Sequence, residues 1–252
     1  MRSEAIQSIS LDTLRQRLRD IELTRAGTVQ REVISTGWAA ADASLTEGGL
    51  LTGATHEFVG LVNHGSCGER GKYGMRDWRP PLLLLAHLAR RAASRGAWCV
   101  WVGRRMWLYG HAAIRGLGAA SRCLWVDAPD AGSRAWAVDA ALRAPGVVVI
   151  ADASGFDSAA SRRVQLACAG AGTVGLLARP PHERGEISFA STKWVVGVHP
   201  AAGVNSRWMV ELVRGARAGD TPRWIIERGR DGGLGSTSSE VRDRPGATRQ
   251  AS

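Results

Sequence analysis

Val147-Val-Val-Ile-Ala-Asp152 is a run of five apolar residues that ends in an acid. A strand that is apolar at every position, rather than at alternate ones, is buried on both faces. That is the habit of parallel sheets covered by helices. The flanking sequence repeats the theme. Helical spacing of apolar residues is expected over residues 81–94, 109–117, 132–143 and 158–171, and short apolar strands over 54–59, 98–102, 123–126 and 173–178. Such alternation predicts an α/β fold with a mostly parallel sheet flanked by helices. Beyond Pro180-Pro181 the pattern changes. Residues 193–199, 207–213 and 223–227 read as three strands with short connections, an antiparallel extension of the sheet. Each starts with a basic residue followed by tryptophan (Lys193-Trp194, Arg207-Trp208, Arg223-Trp224), and the indoles are expected to pack on one face.

At 252 residues the chain has room for one substantial domain with small appendages. Residues 10–23 read as an amphipathic helix with Leu11, Leu14, Leu18 and Ile21 on one face. It packs on its own domain or docks on a neighbour. The expected organisation is therefore an N-terminal helix and linker at 1–32, a core at 33–228 and a tail at 229–252. The tail is rich in Gly, Ser and Arg, has almost no apolar residues, and is expected to be disordered.

No run of about 18 apolar residues is present, so no transmembrane helix is expected. The first residues lack a signal-peptide pattern, and a cytoplasmic location follows as the expectation. None of the four cysteines forms a C-x-x-C pair, and Cys99 and Cys123 fall in strand-like runs that suit buried thiols. His64 and Cys67 have a ligand-like spacing but lack a second pair. The net charge is +10, and Lys72 and Lys193 are the only lysines. The net basic excess fits nucleic acid or an acidic partner, and equally a generic solvated surface, while the choice of arginine over lysine is read as coding bias and not as a sign of DNA.

The segment after the first core strand decides what chemistry the edge of the sheet supports. It reads Gly60-Leu-Val-Asn-His-Gly65-Ser-Cys-Gly-Glu-Arg-Gly71-Lys72-Tyr73. A phosphate-binding loop needs G-x-x-x-x-G-K-[ST], so that backbone N–H groups cradle phosphates and a hydroxyl holds Mg²⁺. Gly65 stands one residue too far from Gly71-Lys72, and Tyr73 replaces the hydroxyl residue. Gly60, Gly65, Gly71, Lys72 and Asp152 are the candidate nucleotide-binding residues, with ATP and Mg²⁺ the candidate ligands. Asp152 would position the metal from the end of its strand; the competing reading makes it a capping or loop residue. The irregular loop argues against efficient turnover. No catalytic residue is assigned, and Ala153-Ser154-Gly155 does not make a nucleophile elbow.

Ser35-Thr-Gly-Trp-Ala-Ala-Ala-Asp-Ala-Ser-Leu-Thr-Glu-Gly-Gly-Leu-Leu-Thr-Gly-Ala-Thr-His-Glu57 resembles the start of the RecA core. With Trp101-Val-Gly-Arg-Arg-Met-Trp-Leu-Tyr109, Arg134-Ala-Trp-Ala-Val138, Ser161-Arg-Arg-Val-Gln-Leu-Ala167 and Arg207-Trp-Met-Val-Glu-Leu212, the chain is more closely similar to the ImuA family over residues 33–228. The resemblance implies a RecA-like core and an adaptor role in SOS-induced translesion DNA synthesis. The implied partners are an ImuB-like polymerase homologue, an error-prone polymerase subunit and RecA. Where RecA proteins place a catalytic glutamate, this chain has Gly103-Arg104-Arg105, and an arginine cannot act as that base. Where they place an Asn-Gln pair it has Arg179-Pro180-Pro181, and the loop that follows, which binds DNA in RecA, is shortened to 180–186. A DNA-stimulated ATPase with a rearranged loop remains the enzymatic alternative, and a SulA-like division inhibitor a more distant one.

Overall fold

The computed structural model describes residues 31–61, 78–93, 97–106, 122–200, 206–217, 221–229 and 233–238. The helices expected at 10–23 and 109–117 and most of the glycine-rich loop lie outside them. A small ribbon pairs β1 (Val33–Ile34) with β2 (Leu50–Leu51) and brackets the short helix α1 (Ala39–Ser44). The main sheet holds β3 (Ala54–Gly60), β4 (Trp98–Val102), β5 (Cys123–Val126), β6 (Val147–Asp152), β7 (Val174–Arg179), β8 (Thr192–His199), β9 (Arg207–Arg214), β10 (Arg223–Arg228) and β11 (Leu234–Ser238). Their order is β11-β10-β9-β8-β3-β7-β6-β4-β5. Pairing is parallel from β5 through β8 and antiparallel from β8 to β11. The α/β fold with its antiparallel extension thus matches the sequence reading, and each expected strand and helix within the described residues falls within one residue of its observed ends.

Two apolar layers sandwich the sheet. Helix α2 (Leu82–Ala93) buries Leu84, Leu85 and Leu88 on one face, against Trp101, Val148, Ile150 and Leu176. Helices α3 (Ala131–Leu142) and α4 (Ser158–Ala171) cover the other face with Val138, Leu142, Val164 and Ala167, against Val102, Val149 and Leu177. Both have sequence-encoded starts: Asp130 and Ser133 form a reciprocal capping box, and the Asp157 carboxylate accepts from Ala160 N. Gly172, at φ +68°, ends α4.

The three expected indoles do share one face. Trp194, Trp208 and Trp224 are buried in the α2-side core, with Trp194 stacked on Phe58 at 6.1 Å and tilted against Trp224 at 6.2 Å. The Ser35-Thr36-Gly37-Trp38 motif acts locally as well. Ser35 Oγ, Thr36 Oγ1 and Thr36 N all donate to the Asp42 carboxylate, which secures α1, and Trp38 stacks on His87 of α2 at 5.3 Å.

One expectation fails in part. Disorder was expected from residue 229, yet Leu234–Ser238 forms β11 at the sheet edge. Backbone pairing with β10 holds it, together with the Trp38 indole, whose Nε1 donates to Leu234 O at 3.3 Å. Backbone pairing does not depend on an apolar side-chain pattern, and the indole comes from 196 positions away, so composition misses both.

His56 is fully buried in β3. Its Nε2 donates to Leu51 O at 3.0 Å, and its Nδ1 accepts from the Thr192 hydroxyl at 2.9 Å, which in turn accepts from Trp194 Nε1 at 2.8 Å. Burial pushes its pKa down to about 4, from an ordinary 6.5. A depressed folded-state value means that the unfolded chain takes up the proton first. Stability is therefore complete above pH 6.5 and falls as the pH drops through about 4. Urea melts of the wild type should lose on the order of 3 kcal/mol to this group across that window. His56→Gln should show a flatter pH slope there, whatever its absolute stability.

Candidate functional site

Because β3 to β8 run parallel, their carboxyl ends gather on one edge, the usual ligand edge of open α/β sheets. Register sets Val59 beside Arg179, Asp152 beside Ala178 and Val102 beside Ala151. Gly60 and Asp152 therefore lie on the same edge, with β7 between their strands. Gly65, Gly71 and Lys72 lie outside the described residues.

Gly60 is covered from within the chain. A Cβ at this position would lie 2.8 Å from Trp78 Cδ1 and 3.1 Å from Pro181 Cδ, so only glycine lets the indole sit this close. Helix α2 follows directly. A helix start binds phosphate through free N–H groups. Here Pro80 and Pro81 have none, and the Leu82 N–H is bonded to Pro80 O at 2.8 Å.

Asp152 is buried and already engaged. Its Oδ1 accepts from Ser154 N at 3.0 Å and from Ser154 Oγ at 2.5 Å. Arg134 Nη2, on α3, donates to the Ser154 carbonyl at 2.7 Å and to its hydroxyl at 3.2 Å, while Nη1 donates to Pro129 O at 3.1 Å. The Arg134 guanidinium is buried too, with no carboxylate paired to it among the described residues. Ser154 Oγ thus links a buried cation to a buried anion. Gly103, at φ +111°, closes over both: a Cβ there would lie 3.0 Å from Asp152 Cβ and 3.1 Å from Arg134 Cδ. Arg104, next along, pairs with Asp127 at 3.1 Å on the open surface, where such pairs contribute little. Sequence reading singled out Asp152 but missed Arg134 as its partner, since the two are brought together only by the packing of α3 on the sheet.

Gly60 and Asp152, the two candidate residues that are described, are both in contact with other parts of the chain. The Leu82 N–H at the helix start is bonded to Pro80 O, Trp78 stands over Gly60, and Asp152 Oδ1 is committed to Ser154. Among the described residues no group of three or more His, Cys, Asp and Glu side chains has the arrangement of a metal site. The His64 and Cys67 pair lies outside them. Cys99, Cys123 and Cys168 are free thiols; burial pushes Cys99 and Cys168 up to about 12 and also raises half-buried Cys123.

A second polar cluster lies on the α4 side of β3, β7 and β8. Arg179 donates through Nε to Glu183 Oε2 at 2.9 Å, through Nη1 to Glu57 Oε1 at 3.3 Å, and through Nη2 to Phe156 O. Glu183 Oε1 accepts from Gly155 N at 2.8 Å. Lys193 Nζ lies 4.0 Å from Glu57 Oε2 and donates to Arg184 O at 2.6 Å. Burial lowers the Lys193 pKa; Glu57 opposes that shift, and Arg179, Arg214 and Arg184 add to it. Arg179 and Lys193 balance Glu57 and Glu183, so the cluster is neutral as a whole. It fixes the β7–β8 connection onto the sheet.

These features define an open α/β protein whose ligand edge is filled by its own side chains. No protein-family model matches the chain. Protein ImuA from two strains of Caulobacter vibrioides is 30% identical over 210 residues, covering 74% of this chain and 81% of the relative. The chain belongs to the ImuA family. Among the described residues no helix is long and apolar enough to cross a membrane.

Coupling of Arg134 to Asp152 is testable by a double-mutant cycle. Arg134→Met and Asp152→Asn should each lower stability by about 1–3 kcal/mol in denaturant melts, and the double variant should lose clearly less than their sum. Additive losses would mean that the two charges do not communicate.

Proposed function

We propose that this ImuA-family chain is an accessory protein of SOS-induced translesion DNA synthesis, built on a RecA-like core and acting through protein contacts rather than efficient ATP turnover. The observation that carries the reading is the commitment of the carboxyl edge to internal partners: Trp78 over Gly60, Pro80-Pro81 at the helix start, and Arg134 with Ser154 on Asp152. The central strand β3, lying between β7 and β8 and leading into the irregular loop, supports the RecA-like assignment. In this reading residues 1–32 form an N-terminal helix and linker, and the core begins at 33 and takes in β11. The partners are an ImuB-like polymerase homologue and an error-prone polymerase subunit, with RecA a further contact.

The test is damage-induced mutation frequency in a deletion strain carrying wild type or Lys72→Ala. Deletion should lower mutagenesis, both forms should restore it, and the purified protein should turn over Mg-ATP at background rate. Rescue by wild type alone, with Lys72-dependent turnover, would instead support the DNA-stimulated ATPase. A deletion without effect would remove the mutagenesis role.

A further inference from the structure

The β7–β8 connection is held rigidly and yet displays large apolar side chains. Lys193 Nζ donates to Arg184 O at 2.6 Å and to Glu186 O at 3.4 Å. Arg214 Nη1 donates to Ser188 O at 2.6 Å, Phe189 N donates to Ser161 Oγ of α4 at 3.0 Å, and Ser191 N donates to Thr55 O at 2.9 Å. Ser188 and Ala190 are buried, and between and beside them Ile187 is 67% and Phe189 43% exposed. Leu166, on the outer surface of neighbouring α4, is 62% exposed. Burying a residue of this kind contributes roughly 1.5–3 kcal/mol, so a fixed loop that turns two of them outward forgoes that gain for the fold.

The charge around these side chains is one-sided. Arg162 and Arg163 on α4 are exposed and have no ion pair among the described residues, and Arg214 binds backbone carbonyls only. Against them stands one exposed carboxylate of the connection, Glu186. Stacking of nucleic-acid bases needs an open aromatic face. The Arg162 guanidinium lies over the Phe189 ring at 5.9 Å, and Ile187 and Leu166 are aliphatic, so the surface suits a polypeptide better than a strand of bases.

We infer that Ile187, Phe189 and Leu166, rimmed by Arg162, Arg163 and Arg214, form a preformed docking surface for an acidic, apolar-bearing segment of a partner protein. The inference deepens the accessory-protein reading by naming the surface through which contact is made. Side-chain ordering at an interface costs affinity, and a connection already fixed by its own hydrogen bonds avoids much of that cost.

Two measurements on the full chain test it. The first uses 8-anilinonaphthalene-1-sulfonate, an anion with an apolar body, as a probe of the surface itself. The wild type should enhance its fluorescence. Ile187→Ser/Phe189→Ser and Arg162→Glu/Arg163→Glu should each weaken binding at least fivefold, with melting temperatures close to wild type. Leu166→Ser, a single change on an exposed helix surface, serves if either double variant is unstable. Unchanged binding in the variants overturns the surface. The second is complementation of the deletion strain, in which the variants should restore a tenth or less of the wild-type mutation frequency. Full restoration overturns the docking role even if the probe binds. A deletion without phenotype, with probe binding lost in the variants, rejects the mutagenesis role but leaves the surface standing. Salt-sensitive binding of a labelled single-stranded oligonucleotide that disappears in the same variants would reassign the surface to nucleic acid. A wild-type dimer that they abolish in sedimentation would reassign it to a second copy of the chain.

Discussion

An arginine guanidinium is buried at the carboxyl end of β7, and the neighbouring elements are arranged to answer it. Arg179 is 1% exposed. Its charge is met by Glu57 from β3 and Glu183 from the following turn, and its remaining donor by Phe156 O ahead of α4. Desolvating such a group costs several kcal/mol unless its donors are satisfied, and removing one partner of a buried pair typically costs about 3–5 kcal/mol. The arrangement therefore couples three parts of the chain that are far apart in sequence: Glu57 of β3, Phe156 ahead of α4, and Arg179 with Glu183. It also fixes the course of residues 180–191, and with it the placement of Ile187 and Phe189.

The same logic governs the opposite side of the carboxyl edge. In a nucleotide-binding α/β protein the polar groups there await a ligand, and the helix start keeps free donors for its phosphates. Here several of these groups have partners inside the chain. Asp152 is held by Ser154, Ser154 by Arg134, and Leu82 N by Pro80 O. Gly60 and Gly103 lack the Cβ that would obstruct these contacts: Gly60, a candidate phosphate-binding residue in sequence, admits an indole, and Gly103 admits an arginine. A buried polar group left unpaired costs more than a satisfied one contributes. Leu82 N and Asp152 Oδ1, which are already engaged, are therefore not free for a ligand without breaking those bonds.

Much of the fold was legible because it rests on local periodicity. The all-apolar run at 147–151 and the Leu-rich stretch at 82–85 admit few alternatives, and the repeated basic-Trp pairs marked three strands with a common inward face. What escaped was decided at long range. Strand β11 carries little apolar pattern and depends on β10 and Trp38. The burial of Arg134 and Arg179 is not announced in sequence, because nothing near them points to Ser154 or Glu57. Of the nucleotide-site reading, the strand end at Asp152 was located correctly, while Arg134, which holds Ser154 against it, became visible only with α3 in place.

An arginine-rich composition obscures this division of labour. With a net charge of +10, basic residues invite a single electrostatic explanation. The structure separates them by surroundings. Arg134 and Arg179 are buried and bonded within the chain, Arg134 to backbone and hydroxyl oxygens and Arg179 to two carboxylates and a backbone carbonyl. Arg104, Arg184, Arg207 and Arg223 pair with carboxylates. Arg162, Arg163 and Arg214 remain without acidic partners among the described residues, and they surround apolar side chains on a rigid connection. Charge alone would favour any polyanion and be screened beyond about 8 Å at physiological salt. Charge around an apolar centre narrows the choice of partner, because the ligand must carry both features in register. In a chain whose ligand edge is closed by its own residues, that combination is where specificity has room to act.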